Sequence, residues 1–398
     1  MFNILFLIGK YPNYGGTEKV TTVLGNEFVK RGHKVSIASF EQPHPELKEE
    51  ELDNSIELLA LSYPVYKRKN IHLLKEFIQN KKIDFIINQW CLPFHVTYLV
   101  NKARKRQKCK LISALHGVPD QNKRLLKVEH LKNNSNHVIK RFAYSQAHKA
   151  LVYLTALNLK YVYNQSDQYV ILSQSFISTF LELSGIKEDS RLRAISNSIT
   201  IEAPDNYNAI AKLKENKVLY VGRMDYTNKR VHRVVEAWEK IALKYPDWAL
   251  VLVGDGPERK VLENYTKSNN IDRVQFVGFK KEPPIEFYKQ ASILLLTSDL
   301  EGFGLVVIEG MTYGVVPIVY GSYSAIYDII EHGISGFITP SPYQEANTIR
   351  CLEQLICNQQ LRTKMSEEAH IRAQRFSVET IIQEWQSMFG ELTDRKTS

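Results

Sequence analysis

The sequence predicts an α/β protein of two domains, each built on a mostly parallel sheet with helices on its faces. Three observations carry this expectation. The chain has 398 residues, more than one hydrophobic core usually serves. Short apolar runs, suited to strands buried on both faces, alternate with stretches of helical spacing in both halves. Glycines stand where a run gives way to the next helix, which is the punctuation of repeated strand and helix units.

The clearest unit spans residues 293–319, ILLLTSDLEGFGLVVIEGMTYGVVPIV. Residues 293–297 read as a buried strand and Gly302 and Gly304 as a tight turn; residues 305–313 follow as a helix stopped by Gly314, and residues 315–319 as the next strand. A helix that starts this way presents backbone N–H groups to an anion, and phosphate is the obvious guest. Glu301 and Glu309 flank the cradle. Carboxylates beside a phosphate are unfavourable unless they have another task, and accepting hydrogen bonds from sugar hydroxyls is one. The stretch EGFGLVVIE, Glu301 to Glu309, resembles the paired-glutamate motif of the GT-B glycosyltransferases, specifically the retaining group called family 4.

Charged residues at 24% beside 44% hydrophobic residues fit a soluble globular protein, and no window approaches the roughly 18 unbroken apolar residues of a membrane span. The apolar run at residues 2–8 lacks a positive leader and ends at Gly9 and Lys10, so it reads as a first buried strand rather than a secretory signal. Cys91, Cys109, Cys351 and Cys357 form no CxxC pair; a reducing cytoplasm is expected, with neither a disulfide framework nor a structural zinc site. The net charge of +9 is concentrated. Residues 67–149 carry 19 Lys and Arg against 4 Asp and Glu, a balance of +15, and the remainder sums to −6. The densest run, KARKRQKCK at residues 102–110, has Arg104, Lys105 and Arg106 at its centre. It reads either as a solvated helix end or as a site for an anionic partner, a phospholipid surface or a phosphate-bearing acceptor. No zinc-finger, RRM or basic-zipper pattern accompanies it, so nucleic acid is not an expected partner.

In the first half, residues 3–8 read as a strand, Gly15 and Gly16 as the turn, residues 17–31 as a helix ended by Gly32, and residues 34–40 as the next strand. The glycine pair offers amides to an anion, although the dinucleotide fingerprint G-x-G-x-x-G is missing. The stretch GGTEKV resembles the GGxE turn of the same family, which faces the donor diphosphate there. Further strands are expected at residues 55–61, 85–88, 111–115, 169–172 and 191–195, with helices at 71–81, after Phe94 and over 136–164. His116 follows the strand at 111–115, at the sheet end where open α/β folds place ligands. It reads as a hydrogen-bond donor to a sugar hydroxyl or a support for the reacting centre, and LHG looks like the family's histidine after the corresponding strand. Asn88 and Trp90, at another strand end, are candidates for an acceptor pocket.

The polar residues 202–216 read as a linker. A strand at 217–221 then ends in Gly222 and Arg223, and Lys229 opens a helix whose positions Val231, Val234, Val235, Trp238 and Ile241 keep helical spacing. Two cations at the mouth of a sheet suit a leaving group that gains negative charge, and GRMDYTNKR resembles the family's Gly-Arg…Lys element. A strand at 248–253 runs into Gly254 and the turn GDGP, where Arg259 takes the place of the third dinucleotide glycine and so argues against a dehydrogenase. Residues 273–277 lead to Gly278 and Phe279, which in the resemblance lies against the nucleotide base. The helices between residue 342 and about residue 392 are expected to return and brace the first domain, with the chain loose from Asp394 on.

The resemblance runs from Gly15 to Gly336 and implies a GT-B fold, two Rossmann-like domains facing across a cleft. Residues 1–200 would hold the acceptor and residues 201–375 the nucleotide sugar, while residues 376–398 form the returning helix and tail. It implies transfer of a hexosyl group from a nucleoside diphosphate sugar, UDP favoured and GDP possible, with retention. The acceptor would be a saccharide or lipid-linked molecule of bacterial surface polysaccharide or glycolipid synthesis, met in the cytoplasm at the inner membrane face. The implied catalytic set is His116, Glu301, Arg223 and Lys229. The donor set is Gly15, Gly16, Gly222, Arg223, Lys229, Gly254, Phe279, Glu301, Gly302, Phe303, Gly304, Leu305 and Glu309. Neither a metal nor another cofactor is expected, since no Asp-x-Asp pair exists; Asp299 and Glu301 form only a D-x-E. Two other classes fit the same plan, a nucleotide-sugar epimerase and a non-catalytic nucleotide-sugar-binding subunit.

Overall fold

The computed structural model describes residues 1–187 and 189–394. The chain divides into two compact units, Met1–Thr200 together with the chain from Val378 onward, and Ile201–Ser377. Among the described residues the first unit holds seven parallel strands: β1 (Asn3–Lys10), β2 (Lys34–Glu41), β3 (Glu57–Ala60), β4 (Phe85–Asn88), β5 (Lys110–Leu115), β6 (Gln168–Ile171) and β7 (Leu192–Ala194). Their order is β3-β2-β1-β4-β5-β6-β7. The winding therefore reverses between β1 and β4, and such a reversal opens a crevice at the carboxyl ends of the strands.

Only one of the last helices joins this unit. In Val378–Asp394, Phe389 stacks on Phe85 with ring centres 4.5 Å apart and meets Phe28 at 5.6 Å. Arg193 reaches both carboxylate oxygens of Glu391 (2.7 and 2.8 Å), and Arg31 pairs with Glu379. The helices Glu345–Cys357 and Gln359–Ala373 stay with the second unit, against the expectation that all of them return. Arg362 donates to the carbonyls of Leu355 and Ile356, which joins the two helices, and Ser366 Oγ to Gly314 O at 2.5 Å, which fastens the second of them to the turn before the strand Val316–Tyr320. Asp394 closes the returning helix, and residues 395–398 of the expected loose tail lie outside the described residues.

The second unit has six parallel strands among its described residues: β8 (Glu215–Val221), β9 (Ala249–Val253), β10 (Val274–Gly278), β11 (Ala291–Leu296), β12 (Val316–Tyr320) and β13 (Phe337–Thr339). The order β10-β9-β8-β11-β12-β13 places its reversal between β8 and β11. Ile293 to Leu296 are at most 1% exposed, as a strand covered on both faces requires. The helix Val231–Ile241 buries Val231, Val234, Val235, Trp238 and Ile241, the stripe read from the sequence.

Residues 202–216 are more ordered than a linker. Asn206 caps a short helix, Tyr207–Ala211, by accepting from Ala209 N at 3.2 Å, and Tyr207 stacks on His370 with ring centres 4.3 Å apart. β8 then begins at Glu215, inside the expected linker. The first unit also carries a helix that the sequence reading omits, Lys123–Asn133, capped by Asn122 and followed by the 28-residue helix Val138–Gln165.

Candidate active site

At the β8/β11 reversal, glycines let backbones meet. Gly254 has φ +134°, and a Cβ there would stand 1.9 Å from Gly222 O; a Cβ on Gly256 would stand 2.3 Å from Met224 O. The turns after β8 and β9 are thus pressed together and joined by Met224 N to Asp255 O at 2.9 Å. Asp225 then folds the DYTNK loop by accepting from Thr227 N, Asn228 N and Thr227 Oγ1 at 2.8, 2.9 and 2.7 Å. Asn228 O accepts from Asp299 N at 2.7 Å, locking this loop to the one after β11. The result sets Lys229 Nζ 2.6 Å from Glu301 Oε1. Lys229 does not open the helix as expected. It precedes the left-handed turn at Arg230 (φ +51°), and the helix begins at Val231.

Arg223 is 4.0 Å from Asp225, with 66% of its side chain exposed beside this pair. Glu301 and Glu309 are both buried, each 8% exposed. Glu309 accepts from Tyr288 OH at 3.0 Å, and burial, reinforced by that carboxylate, holds the Tyr288 pKa well above its ordinary value, so the phenol stays a donor. Asp299 accepts from Arg230 Nε and Arg233 Nη1, both at 2.5 Å, so half of the D-x-E pair is committed to arginines. Among the described residues no group of three or more His, Cys, Asp and Glu is placed to hold a metal ion.

The cradle itself is the start of the helix Leu305–Thr312. Gly304 has φ +105°, and its carbonyl accepts from Val307 N and Ile308 N at 2.9 and 3.3 Å, so the amides of Leu305 and Val306 precede the first intrahelical bonds. Two buried hydroxyls at this strand end, Tyr323 OH and Ser298 Oγ, have no hydrogen-bond partner. Leaving such groups unsatisfied is costly, so a ligand rich in acceptors fits here. A Cβ on Gly304 would lie 2.6 Å from Tyr323 OH, which places that hydroxyl directly over the turn. Neither hydroxyl is in the set read from the sequence. The available signal was that Tyr323 follows β12, the strand next to β11, and so stands at the same sheet edge. Phe303, by contrast, is a core side chain, 3% exposed and edge-on to Phe376, and can serve a ligand only through its backbone. Phe279 is 57% exposed just after Gly278 (φ +91°).

In the first unit, Gly15 is the cap of helix Gly16–Lys30, and the Glu18 carboxylate folds over it so closely that a Cβ on Gly15 would be 2.2 Å away. Burial raises the Glu18 pKa. Asn88 is fully buried, its amide bound to Thr97 Oγ1 at 3.4 Å and its oxygen accepting from Trp90 N at 3.2 Å; it shapes the turn rather than lining a pocket. Trp90 closes on Gly9 and on Phe40, Tyr63 and His95. His116 follows β5 with both ring nitrogens shielded from solvent and unpartnered, although the nearby Asn197 side chain favours the protonated ring. Burial wins and pushes its pKa down to about 4, so the ring is neutral at pH 7. Arg104 is not offered to a partner. It binds Asn101, Cys109 O, Gln165 O and Asp167, while Lys105 and Arg106 remain exposed.

Residues 14–203 match the family described as Glycosyltransferase Family 4, and residues 205–372 the family described as Glycosyl transferases group 1. The chain is 24% identical to N-acetyl-alpha-D-glucosaminyl L-malate synthase of Bacillus anthracis, over 96% of this chain and 95% of that one. It is 23% identical to the amylovoran biosynthesis glycosyltransferase AmsD of Erwinia amylovora, over 98% and 100%. Its structure resembles that of Anabaena HepE, solved in complex with UDP and glucose, with a TM-score of 0.71 and 20% identity over 98% of this chain and 100% of HepE. With one family matched across most of the first unit and the other across most of the second, this chain belongs to the family 4 glycosyltransferases and has their GT-B fold.

Proposed function

We propose that the protein transfers a hexosyl group from a nucleoside diphosphate sugar, a UDP-sugar before a GDP-sugar, to a saccharide or lipid-linked acceptor, with retention at the anomeric carbon. One grouping carries the reading: a lysine on a braced loop, a buried glutamate, a glycine-started helix and two unpartnered hydroxyls, all at the β8/β11 reversal. The UDP held by HepE and the biosynthetic role in the name of AmsD support donor class and setting. The setting is surface polysaccharide or glycolipid assembly at the inner face of the cell membrane.

In the reaction the bond from C1 to the diphosphate oxygen breaks while the acceptor oxygen bonds C1 on the same face, and the acceptor proton passes to the departing phosphate. Arg223, Lys229 and the amides at Leu305 and Val306 offset the growing negative charge. A diphosphate competes with Glu301 for Lys229, so donor arrival frees a carboxylate oxygen at the moment a sugar hydroxyl needs an acceptor. Glu309, steadied by Tyr288, accepts from ribose hydroxyls. His116, neutral and unpartnered, hydrogen-bonds a sugar hydroxyl. No metal is required, because two cations and a helix start meet the charge; transfer should survive EDTA.

The test is a melting panel with UDP, GDP and ADP. UDP at 100 times its dissociation constant should add about 2.7 kcal/mol of stability. Arg223→Ala with Lys229→Ala should abolish that gain. A gain that persists in the double variant overturns the reading.

A further inference from the structure

One apolar surface of the first unit is left uncovered. The helix Val138–Gln165 buries Leu159, Val162 and Tyr163 on its inner side. Its outer side shows Ile139, Phe142, Tyr153, Leu154 and Leu157, which are 72, 66, 64, 58 and 46% exposed, with exposed Ala143 and Ala150 between them. At about 100° per residue these positions share one arc of roughly 120°, and from residue 139 to residue 157 the stripe is about 27 Å long. Phe94, 52% exposed and edge-on to Tyr161 at 5.9 Å, extends it. Single exposed apolar residues are ordinary, but a stripe of this length, interrupted on its arc by the exposed Gln146 alone, marks an interface.

Charge selects the occupant. No Asp or Glu occurs between Glu129 and Asp167, while exposed Lys140 and Lys149 stand on opposite flanks of the stripe. Lysines that lay their stems along apolar surface and keep their charge at its edge suit a bilayer interface. A second copy is disfavoured, since stripe on stripe would bring these lysines together with no carboxylate on the helix to offset them. We propose that this helix lies in the plane of an anionic phospholipid surface. Phe142, Tyr153, Leu154 and Leu157 enter the acyl boundary, and Lys140 and Lys149 meet headgroup phosphates. The lipid contact thus moves from Arg104, which the fold has committed, to a face that combines apolar depth with charge. The inference deepens the acceptor reading by stationing the enzyme where lipid-linked acceptors reside, yet its test needs neither donor nor acceptor.

The experiment is flotation of the full chain with phosphatidylcholine vesicles, with and without phosphatidylglycerol. The wild type should float with the anionic vesicles, and less so as salt rises. The triple variant Phe142→Ser, Leu154→Ser, Leu157→Ser should lower the partition coefficient at least about tenfold. Lys140→Ala with Lys149→Ala should remove most of the preference for phosphatidylglycerol. Because all five side chains are exposed, the melting temperature and the shift caused by UDP should stay as in the wild type; that shift reports the donor site separately. Three results overturn the proposal: no flotation of the wild type, equal flotation of the triple variant, or a wild-type dimer that the triple variant turns into a monomer.

Discussion

The two winding reversals of this chain differ in what they offer a ligand. At β8/β11 the charges are set in advance: Lys229 against Glu301, Arg230 and Arg233 against Asp299, and an arginine, Arg223, left largely exposed beside them. Around β1/β4 and the neighbouring end of β5 no lysine or arginine among the described residues is braced against a buried carboxylate in this way: Lys10 and Glu41 pair at the exposed strand ends, Glu18 folds over Gly15, Trp90 sits among rings and His116 is unprotonated and unpartnered. Under the proposed function the contrast follows from chemistry. A leaving diphosphate gains charge and needs cations in place before the bond breaks, whereas a sugar or lipid-linked hydroxyl needs shape and hydrogen bonds.

Variants sharpen or break this contrast. Removing both Arg223 and Lys229 should lower transfer by about 10²–10³-fold, or about 3–4 kcal/mol, as read from nucleoside diphosphate release. An equal loss from Trp90→Ala would erase the distinction between the two ends. His116 has the next largest effect, on stability. Its folded pKa of about 4 lies below the ordinary 6.5, so the stability tied to the neutral ring is complete above pH 6.5 and lost as pH falls toward 4. That loss should reach at most about 3 kcal/mol, and His116→Gln should flatten it in urea melts taken across this range. Gly304→Ala should cost about 2 kcal/mol through its positive φ and its approach to Tyr323, with part of the loss recovered by adding Tyr323→Phe. Smallest is Arg104→Ala. It should cost roughly 1 kcal/mol in a melt by loosening Asp167, which keeps Lys110, and should leave vesicle flotation unchanged.

Both sheets and the order of the glycine turns were legible because a strand buried on both faces must be a short apolar run, and a strand that hands over to a helix needs glycine at the corner. Lys229 and Glu301 were each legible, as members of two separate motifs. Three things were not. The helix Lys123–Asn133 buries only Leu125, so its periodicity is faint. Tyr323 meets the cradle only through strand order, which spacing along the chain does not reveal, whereas Ser298, just past β11 in the same motif, gives no sign along the chain that its hydroxyl is buried. Arg104 looked like the centre of a free basic patch because its partner, Asp167, lies 63 residues away and reaches it only once β5 and β6 pair.

The returning helix makes the second unit an insertion within the first. Because Phe389 fills the space against Phe85 and Phe28, a nascent chain that has emerged only as far as Thr200 still has a gap between β4 and the helix Gly16–Lys30. Synthesis must run on through the whole second unit before the amino-terminal core can close. The same wiring means that excising residues 201–377 and splicing Thr200 to Val378 through a flexible tether, rather than truncating at Thr200, is the way to obtain that core by itself.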